Sequence, residues 1–149
     1  MKEGSVMTTS GTTAGTAGYS GTPLWKKLGY AAGQRVCVIG GPADYDALID
    51  GVPQPITVVA KPGVGVDLVH LFVEQRALLA KQLAALRKTL KPDAVLWISW
   101  PKKASKRPTD ITEDAIRADA LPLGWVDVKV CAVDATWSGL KLVVRKELR

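Results

Sequence analysis

The sequence predicts an α/β domain with a mostly parallel sheet of about six strands, helices on both faces and a C-terminal antiparallel strand pair. Two observations predict this class. Short apolar runs typical of buried strands alternate with segments of helical periodicity, an order that favours parallel strands joined by helices. Only a few residues separate the last two apolar runs, and since parallel strands need a longer crossover, these two strands are predicted to be antiparallel.

The predicted helices begin and end at recognisable signals. Thr22 and Pro23 are typical of a helix start, and Gly29 is typical of its end. A single leucine stripe, at positions 79, 83, 86 and 90, indicates the longest helix. Asp110 and Glu113 form a capping-box pattern that predicts one more helix start. The predicted helices cover residues 22–28, 43–49, 76–90 and 110–120.

The predicted strands are apolar runs bounded by turn residues. Gly40, Gly41 and Pro42 end the first run, and Lys61, Pro62 and Gly63 end the second. A polar turn at residues 134–136 separates the last two runs. The predicted strands cover residues 35–39, 56–60, 67–73, 95–100, 126–133 and 137–145.

The composition bounds the class of protein. The chain has 149 residues, the length of one domain, with 47% hydrophobic and 23% charged residues. Its net charge of +6 permits a phosphate, nucleotide or nucleic-acid partner without requiring one. Residues 1–18 are mainly Gly, Ser, Thr and Ala, and they are predicted to form a disordered tail before a single domain at 19–149.

Cysteine and histidine usage argues against a metal site. Cys37 and Cys131 lie in separate apolar runs, and the single histidine, His70, cannot complete a zinc cluster with them. Reduced, buried thiols fit a reducing cytoplasm, and His70 is predicted to be structural. No apolar run approaches the roughly 18 residues of a membrane span, so no membrane contact is predicted. The sequence also lacks the HExxH and P-loop motifs of metalloproteases and nucleotide hydrolases.

A basic loop follows the apolar run at 95–100. It carries Lys102, Lys103, Lys106 and Arg107 without an acidic residue, and Ser105 could add a neutral donor. Ligands of open α/β sheets bind just beyond the carboxyl ends of the strands. The loop is therefore predicted to bind an anion such as phosphate; a solvated loop without a ligand is the alternative.

Three further features, the Gly40–Gly41 turn, Glu74 and Trp100, each have a functional and a structural interpretation. Gly40 and Gly41 form either a ligand-facing turn or a tight strand-to-helix turn. Glu74 could pair with the basic loop, orient a ligand or act as a base, or it could favour the start of the following helix electrostatically. Trp97 and Trp100 are predicted to point to opposite faces, and Trp100 either stacks a ring at the site or packs under the loop.

The order of these elements resembles the core of Rossmann-like methyltransferases over residues 33–145. The segment VDLVHLFV at 66–73 resembles their fourth strand, and LKPDAVLWIS at 90–99 resembles the approach to their fifth. The resemblance implies a reduced Rossmann-like fold with a cofactor turn after the first strand. Two positions depart from that pattern: Pro42 removes an N–H donor from the turn, and Lys61 lies where those enzymes carry an acid for the ribose.

More narrowly, the chain resembles a family of small bacterial proteins catalogued as a domain of unknown function. Four motifs carry the resemblance: GYSGTPL…KLG at 18–29, W-PKK-S at 100–105, DIT…IR at 110–117 and VDVKVCAVD-TWSGLK at 126–141. This resemblance implies a fold but no assigned activity.

These observations together predict a non-catalytic binding or regulatory domain for an anionic, phosphate-bearing small ligand, with no cofactor. An S-adenosylmethionine-dependent methyltransferase-like enzyme is one alternative. A nucleic-acid-binding protein, with an affinity that falls steeply with salt, is another. No protein partner is identified. The predicted ligand-binding residues are Gly40, Gly41, Glu74, Trp100, Lys102, Lys103, Ser105, Lys106 and Arg107.

Overall fold

The computed structural model describes residues 21–149. The predicted tail and its boundary with the domain lie outside these residues. The helices are α1 (Leu24–Leu28), α2 (Tyr45–Leu48), α3 (Arg76–Thr89) and α4 (Glu113–Ala120). The strands are β1 (Arg35–Ile39), β2 (Thr57–Val58), β3 (Leu68–Phe72), β4 (Val95–Pro101), β5 (Trp125–Ala132) and β6 (Trp137–Val144).

The six strands form one mixed sheet with the order β2-β1-β3-β4-β6-β5. Strands β2, β1, β3 and β4 are parallel, and β6 runs antiparallel between β4 and β5. The predicted α/β class with a C-terminal antiparallel pair is confirmed. Because β5 runs in the same direction as β4, the carboxyl ends of β1, β3, β4 and β5 meet the start of β6 along one side of the sheet, which we call the carboxyl edge.

Two core clusters cover the two faces of the sheet. Helices α3 and α4 pack on the face that carries Ile98 and Trp100, and α1 and α2 pack on the face that carries Trp97. The indole N–H of Trp97 donates to the carbonyl of Leu28 at 2.8 Å, which fixes the end of α1 on that face. The two tryptophans of β4 therefore point to opposite faces, as strand geometry predicts.

A chain of buried hydrogen bonds crosses the face covered by α1 and α2. His70 Nε2 lies 2.7 Å from Ser99 Oγ, and His70 Nδ1 lies 2.8 Å from the Tyr45 hydroxyl. The Tyr45 hydroxyl in turn lies 2.6 Å from that of Tyr30. Burial lowers the pKa of His70 to about 3, so the ring is neutral and pairs one N–H donor and one acceptor nitrogen with these hydroxyls.

Three elements differ locally from their predictions. Strand β2 has only two residues, Thr57 and Val58, and both side chains are exposed. Helix α2 is shorter than predicted at both ends. The capping-box assignment of Asp110 is wrong, since Thr112 caps α4 by accepting from Ala115 N at 3.0 Å.

Among the helices of residues 21–149, none is long and apolar enough to cross a membrane. The same residues contain no group of three or more His, Cys, Asp or Glu side chains arranged for a metal ion.

We expect the free energy of unfolding to fall as the pH is lowered from about 6 to about 4.5. The unfolded chain protonates its histidine near pH 6.5, whereas folded His70 stays neutral to about pH 3, so the unfolded state binds more protons in this range. The slope approaches about 1.4 kcal/mol per pH unit. Chemical denaturation at several pH values measures it. His70→Gln removes the only histidine of the sequence and should flatten the dependence of the unfolding free energy on pH. Parallel pH profiles of the two proteins would contradict the conclusion that folded His70 stays neutral.

Candidate functional site

A cavity of about 520 Å³ opens at the carboxyl edge, between the ends of β1 and β3. We call it the edge cavity. Its volume lies within the range of about 300–1,000 Å³ that is typical of small-molecule sites. The walls used in the argument below are Gly40, Gly41, Phe72, Glu74, Arg107 and Trp137.

The glycine turn after β1 approaches β3 too closely for side chains. Gly40 has a φ of 69°, and a Cβ added there would lie 2.8 Å from the carbonyl oxygen of Phe72. A Cβ added at Gly41 would lie 2.6 Å from Val38 Cγ1. Both glycines are therefore required by packing, and both also line the edge cavity.

Glu74 and Arg107 form a charged pair at this cavity. Glu74 Oε2 accepts from Arg107 Nε at 2.8 Å and lies 2.7 Å from the second guanidinium nitrogen. The guanidinium carbon also lies 5.2 Å from the centre of the Trp137 ring, in cation–π geometry. The cavity wall thus already holds one cation between a carboxylate and an aromatic face.

Aromatic contacts fix the rear wall of the edge cavity. The Phe72 ring stacks on His70 at 4.3 Å and meets Trp137 edge-on at 5.1 Å. Tyr45 also meets Phe72 edge-on, at 5.7 Å. Because His70 and Tyr45 belong to the buried hydrogen-bond chain, that chain also sets the position of the Phe72 ring.

The end of the basic loop is tied to the start of α3. Thr109 Oγ1 donates to the carbonyl of Glu74 at 2.6 Å, and Asp110 Oδ1 accepts from the backbone N–H of Arg76 at 2.7 Å. The first N–H groups of a helix have no partner within the helix, so Asp110 supplies one from a distant part of the sequence. These bonds hold Glu74 and Arg107 on the same side of the cavity.

Four of the predicted site residues line the edge cavity: Gly40, Gly41, Glu74 and Arg107. Trp100 does not, because it is buried in the core under α3 and α4. Its ring packs in this core and is not part of the cavity wall.

The rest of the basic loop lies away from the cavity lining. Ser105 Oγ donates to the carbonyl of Lys102 at 2.6 Å, so the hydroxyl stabilises the 3-10 helix Lys103–Ser105. Lys106 ends that helix with a φ of 62°. Lys102, Lys103, Ser105 and Lys106 therefore do not line the edge cavity beside Arg107, whose charge is taken up by Glu74.

The two aromatic walls, Phe72 and Trp137, are not among the predicted ligand-binding residues. Trp137 follows a turn in which Asp134 Oδ1 accepts from the N–H groups of Thr136 and Trp137, both at 2.8 Å. The available signal for Trp137 was its position at the first residue of an antiparallel strand, which places it at the carboxyl edge.

The carboxyl end of β2 carries no acid. Lys61 follows this strand, and the nearest carboxylate after it, Asp67, has other partners. Asp67 accepts from Lys91 Nζ at 2.6 Å and from the N–H of Arg35 at 2.8 Å. The Lys91 ammonium group and then the Arg35 N–H hold the pKa of Asp67 below its usual value, so this carboxylate is structural.

Comparisons with known proteins confirm the fold class. The chain resembles a putative type 11 methyltransferase from Sulfolobus solfataricus (TM-score 0.54, 13% identity, 76% of this chain and 85% of that one). It also resembles a SAM-dependent methyltransferase from Aquifex aeolicus (TM-score 0.57, 17% identity, 81% and 87%). A third similar structure is fibrillarin from Aeropyrum pernix with bound S-adenosyl-L-methionine (TM-score 0.55, 12% identity, 82% and 69%).

The predicted Rossmann-like, methyltransferase-like architecture is thus confirmed. No protein-family model matches the chain, and no curated protein matches it at a significant level.

These likenesses overturn the main functional prediction. A non-catalytic domain that binds an anionic ligand at residues 101–107 is not what the similar structures favour, since they are methyltransferases. The geometry agrees, because Glu74 neutralises Arg107 and the lysines of the loop do not line the cavity. The methyltransferase alternative is better supported.

We expect Asp110→Ala to lower the free energy of unfolding by about 1 kcal/mol, because the N–H of Arg76 loses its partner at the start of α3. Urea denaturation measures this change. Asp44→Ala is the matched control, since Asp44 precedes α2 without a side-chain capping bond. Equal losses in the two variants would show that the Asp110 contact contributes nothing particular.

Proposed function

We propose that the chain binds S-adenosylmethionine in the edge cavity and is a methyltransferase. The proposal is supported by the fold, which is similar to that of S-adenosylmethionine-dependent enzymes, and by a cavity at the carboxyl ends of β1 and β3. Open α/β sheets bind their ligands at this edge.

One observation carries the proposal beyond the fold. The guanidinium of Arg107 lies against the Glu74 carboxylate and over the Trp137 ring, so the cavity wall offers the two groups that stabilise an organic cation. The sulfonium of S-adenosylmethionine is such a cation. Glu74 and Trp137 would face it after Arg107, which occupies both groups in this structure, moves aside.

The residues of this chain fit the sulfonium part of S-adenosylmethionine better than they fit its ribose. Gly40 and Gly41 leave their side of the cavity free of side chains, and Phe72 and Leu78 offer apolar surface. By contrast, Lys61 lies at the end of β2, where an acid would hold the ribose hydroxyls. We therefore assign the sulfonium half to Glu74 and Trp137 and assign no acid of this chain to the ribose.

When bound, S-adenosylmethionine supplies an electrophilic methyl group. The chain's own contribution would be to bind the cation through Glu74 and to pack the rings of Phe72 and Trp137 against the bound molecule. His70 is fully enclosed, so it cannot reach a substrate.

We also propose membership of the small bacterial family that carries the four motifs described above, and a cytoplasmic location. Two of the motifs supply residues with structural roles at the site, namely Trp137 from 126–141 and Asp110 from 110–117. The thiols of Cys37 and Cys131 are free, which suits a reducing compartment.

We expect Glu74→Gln to weaken the binding of S-adenosylmethionine by about fivefold, or about 1 kcal/mol for a partly exposed charge pair. The binding of S-adenosylhomocysteine, whose sulfur is uncharged, should change much less. Isothermal titration calorimetry measures both dissociation constants. The difference between the two ligands isolates the contribution of the positive charge.

Glu147→Gln is the control, because it removes one carboxylate near the C-terminus and leaves the edge cavity intact. An equal loss for both ligands in Glu74→Gln would overturn the role of Glu74 toward the cation. Failure of the unaltered protein to bind S-adenosylmethionine would overturn the proposed function itself.

A further inference from the structure

A second cavity, of about 500 Å³, lies between α1 and the carboxyl half of β5. We call it the lysine cavity. Lys26 and Lys27 reach it from the last turn of α1, and Lys129 reaches it from β5. Cys131 also lines it, and none of the described residues that line it carries a carboxylate.

The three lysines of this cavity are electrostatically uncompensated. None of them forms an ion pair within residues 21–149, whereas Arg76, Lys91, Arg107 and Arg117 all do. Three lysines that line one cavity raise the positive potential there, and this favours a ligand with several negative oxygens. Lysine suits phosphate because each ammonium group makes a point contact with a phosphate oxygen.

Cys131 lines the same cavity as the three lysines, and Lys27 and Lys129 are near enough to act on its thiol. Burial raises the pKa of the Cys131 thiol, and the charges of Lys27 and Lys129 oppose that increase. Both ammonium groups therefore act on the interior of the lysine cavity.

The register of the sheet connects the lysine cavity to the Trp137 wall of the edge cavity. Lys129 pairs with Lys141, which pairs with Trp97, so these side chains share the face covered by α1. Further along, Ala132 pairs with Ser138, the residue after Trp137. Trp137 on β6 lines the edge cavity, and β6 pairs with β5, which carries Lys129, so this strand pair connects the two cavities. The other walls of the edge cavity, at the ends of β1 and β3, lie beyond β4.

We infer that the lysine cavity binds a phosphate group of the methyl acceptor, so the acceptor is a phosphate-bearing molecule. The phosphate site rests on Lys26, Lys27 and Lys129 alone, whereas its assignment to the acceptor rests on the proposed methyl transfer. The phosphate could belong to a polynucleotide or to a small phosphorylated compound, and the two sources are separated by the choice of probe.

The test uses the full chain and two probes, a short fluorescent single-stranded oligonucleotide and inorganic pyrophosphate. Fluorescence anisotropy follows the oligonucleotide, and calorimetry follows pyrophosphate. The triple variant Lys26→Ala, Lys27→Ala, Lys129→Ala is compared with Lys61→Ala, Lys81→Ala, Lys88→Ala, which removes three exposed charges elsewhere. Circular dichroism confirms that both variants are folded.

For a polynucleotide ligand, the plot of log affinity against log salt should lose about two units of slope in the first variant only, since each phosphate contact contributes about 0.7 for single strands. Pyrophosphate binding that is lost in the first variant, with no oligonucleotide binding, supports a small phosphorylated ligand. Equal losses in the two triple variants, or binding of neither probe by the unaltered protein, would overturn the inference.

Alkylation of Cys131 locates the bound probe. Cys37 is fully buried, so a maleimide reaches Cys131 first, and peptide mass spectrometry follows its modification. Pyrophosphate or the oligonucleotide should slow this reaction in the unaltered protein. Binding without protection of Cys131 would overturn the placement of the phosphate in the lysine cavity.

Two results keep this inference apart from the proposed function. The lysine triple variant should bind S-adenosylmethionine as the unaltered protein does, and Glu74→Gln should keep its phosphate affinity. If phosphate binds in the lysine cavity and S-adenosylmethionine does not bind at all, the proposed function is overturned and the assignment of the phosphate to a methyl acceptor is overturned with it.

Discussion

The position of the site depends on the buried hydrogen-bond chain that joins Ser99, His70, Tyr45 and Tyr30. An unpaired polar atom in this core would cost about 1–3 kcal/mol, so each member constrains its neighbours. These hydrogen bonds link β4 to β3, β3 to α2, and α2 to the turn after α1. They also set the ring on which Phe72 stacks, and Phe72 is a wall of the edge cavity. The core and the candidate site therefore share one geometric constraint.

The close approach of β1 and β3 also fixes the geometry of the carboxyl edge. Gly40 touches the carbonyl of Phe72 so closely that a side chain would not fit, and the chain then turns into α2, which carries Tyr45. On the other side, Thr109 and Asp110 bind the connection between β3 and α3. Glu74 is held between these two constraints, and this explains why a surface carboxylate has a defined partner in Arg107.

Local patterns predicted what local forces determine. The leucine stripe gave the bounds of α3 almost to the residue, and the rule that ligands bind beyond strand ends indicated Gly40, Gly41, Glu74 and Arg107. The basic loop led to a wrong prediction of an anion site. The local sequence does not show that Glu74, which is distant in sequence, neutralises Arg107. Asp110 was assigned to α4 by spacing, whereas tertiary contacts give it to α3. Trp137 was missed because its place at the site follows from β6 lying next to β4, and strand order is not written in local sequence.

The enclosure of His70 also makes its ring a reporter of core opening. Its side chain has no exposed surface, and the sequence contains no second histidine. An acylating reagent dissolved in water reaches this imidazole only when the layer formed by α1 and α2 separates from the sheet. When reclosing is fast, the rate of acylation in native buffer follows the fraction of molecules in that open state. The rate of acylation of the His70 imidazole thus reports how often the wall behind the edge cavity opens.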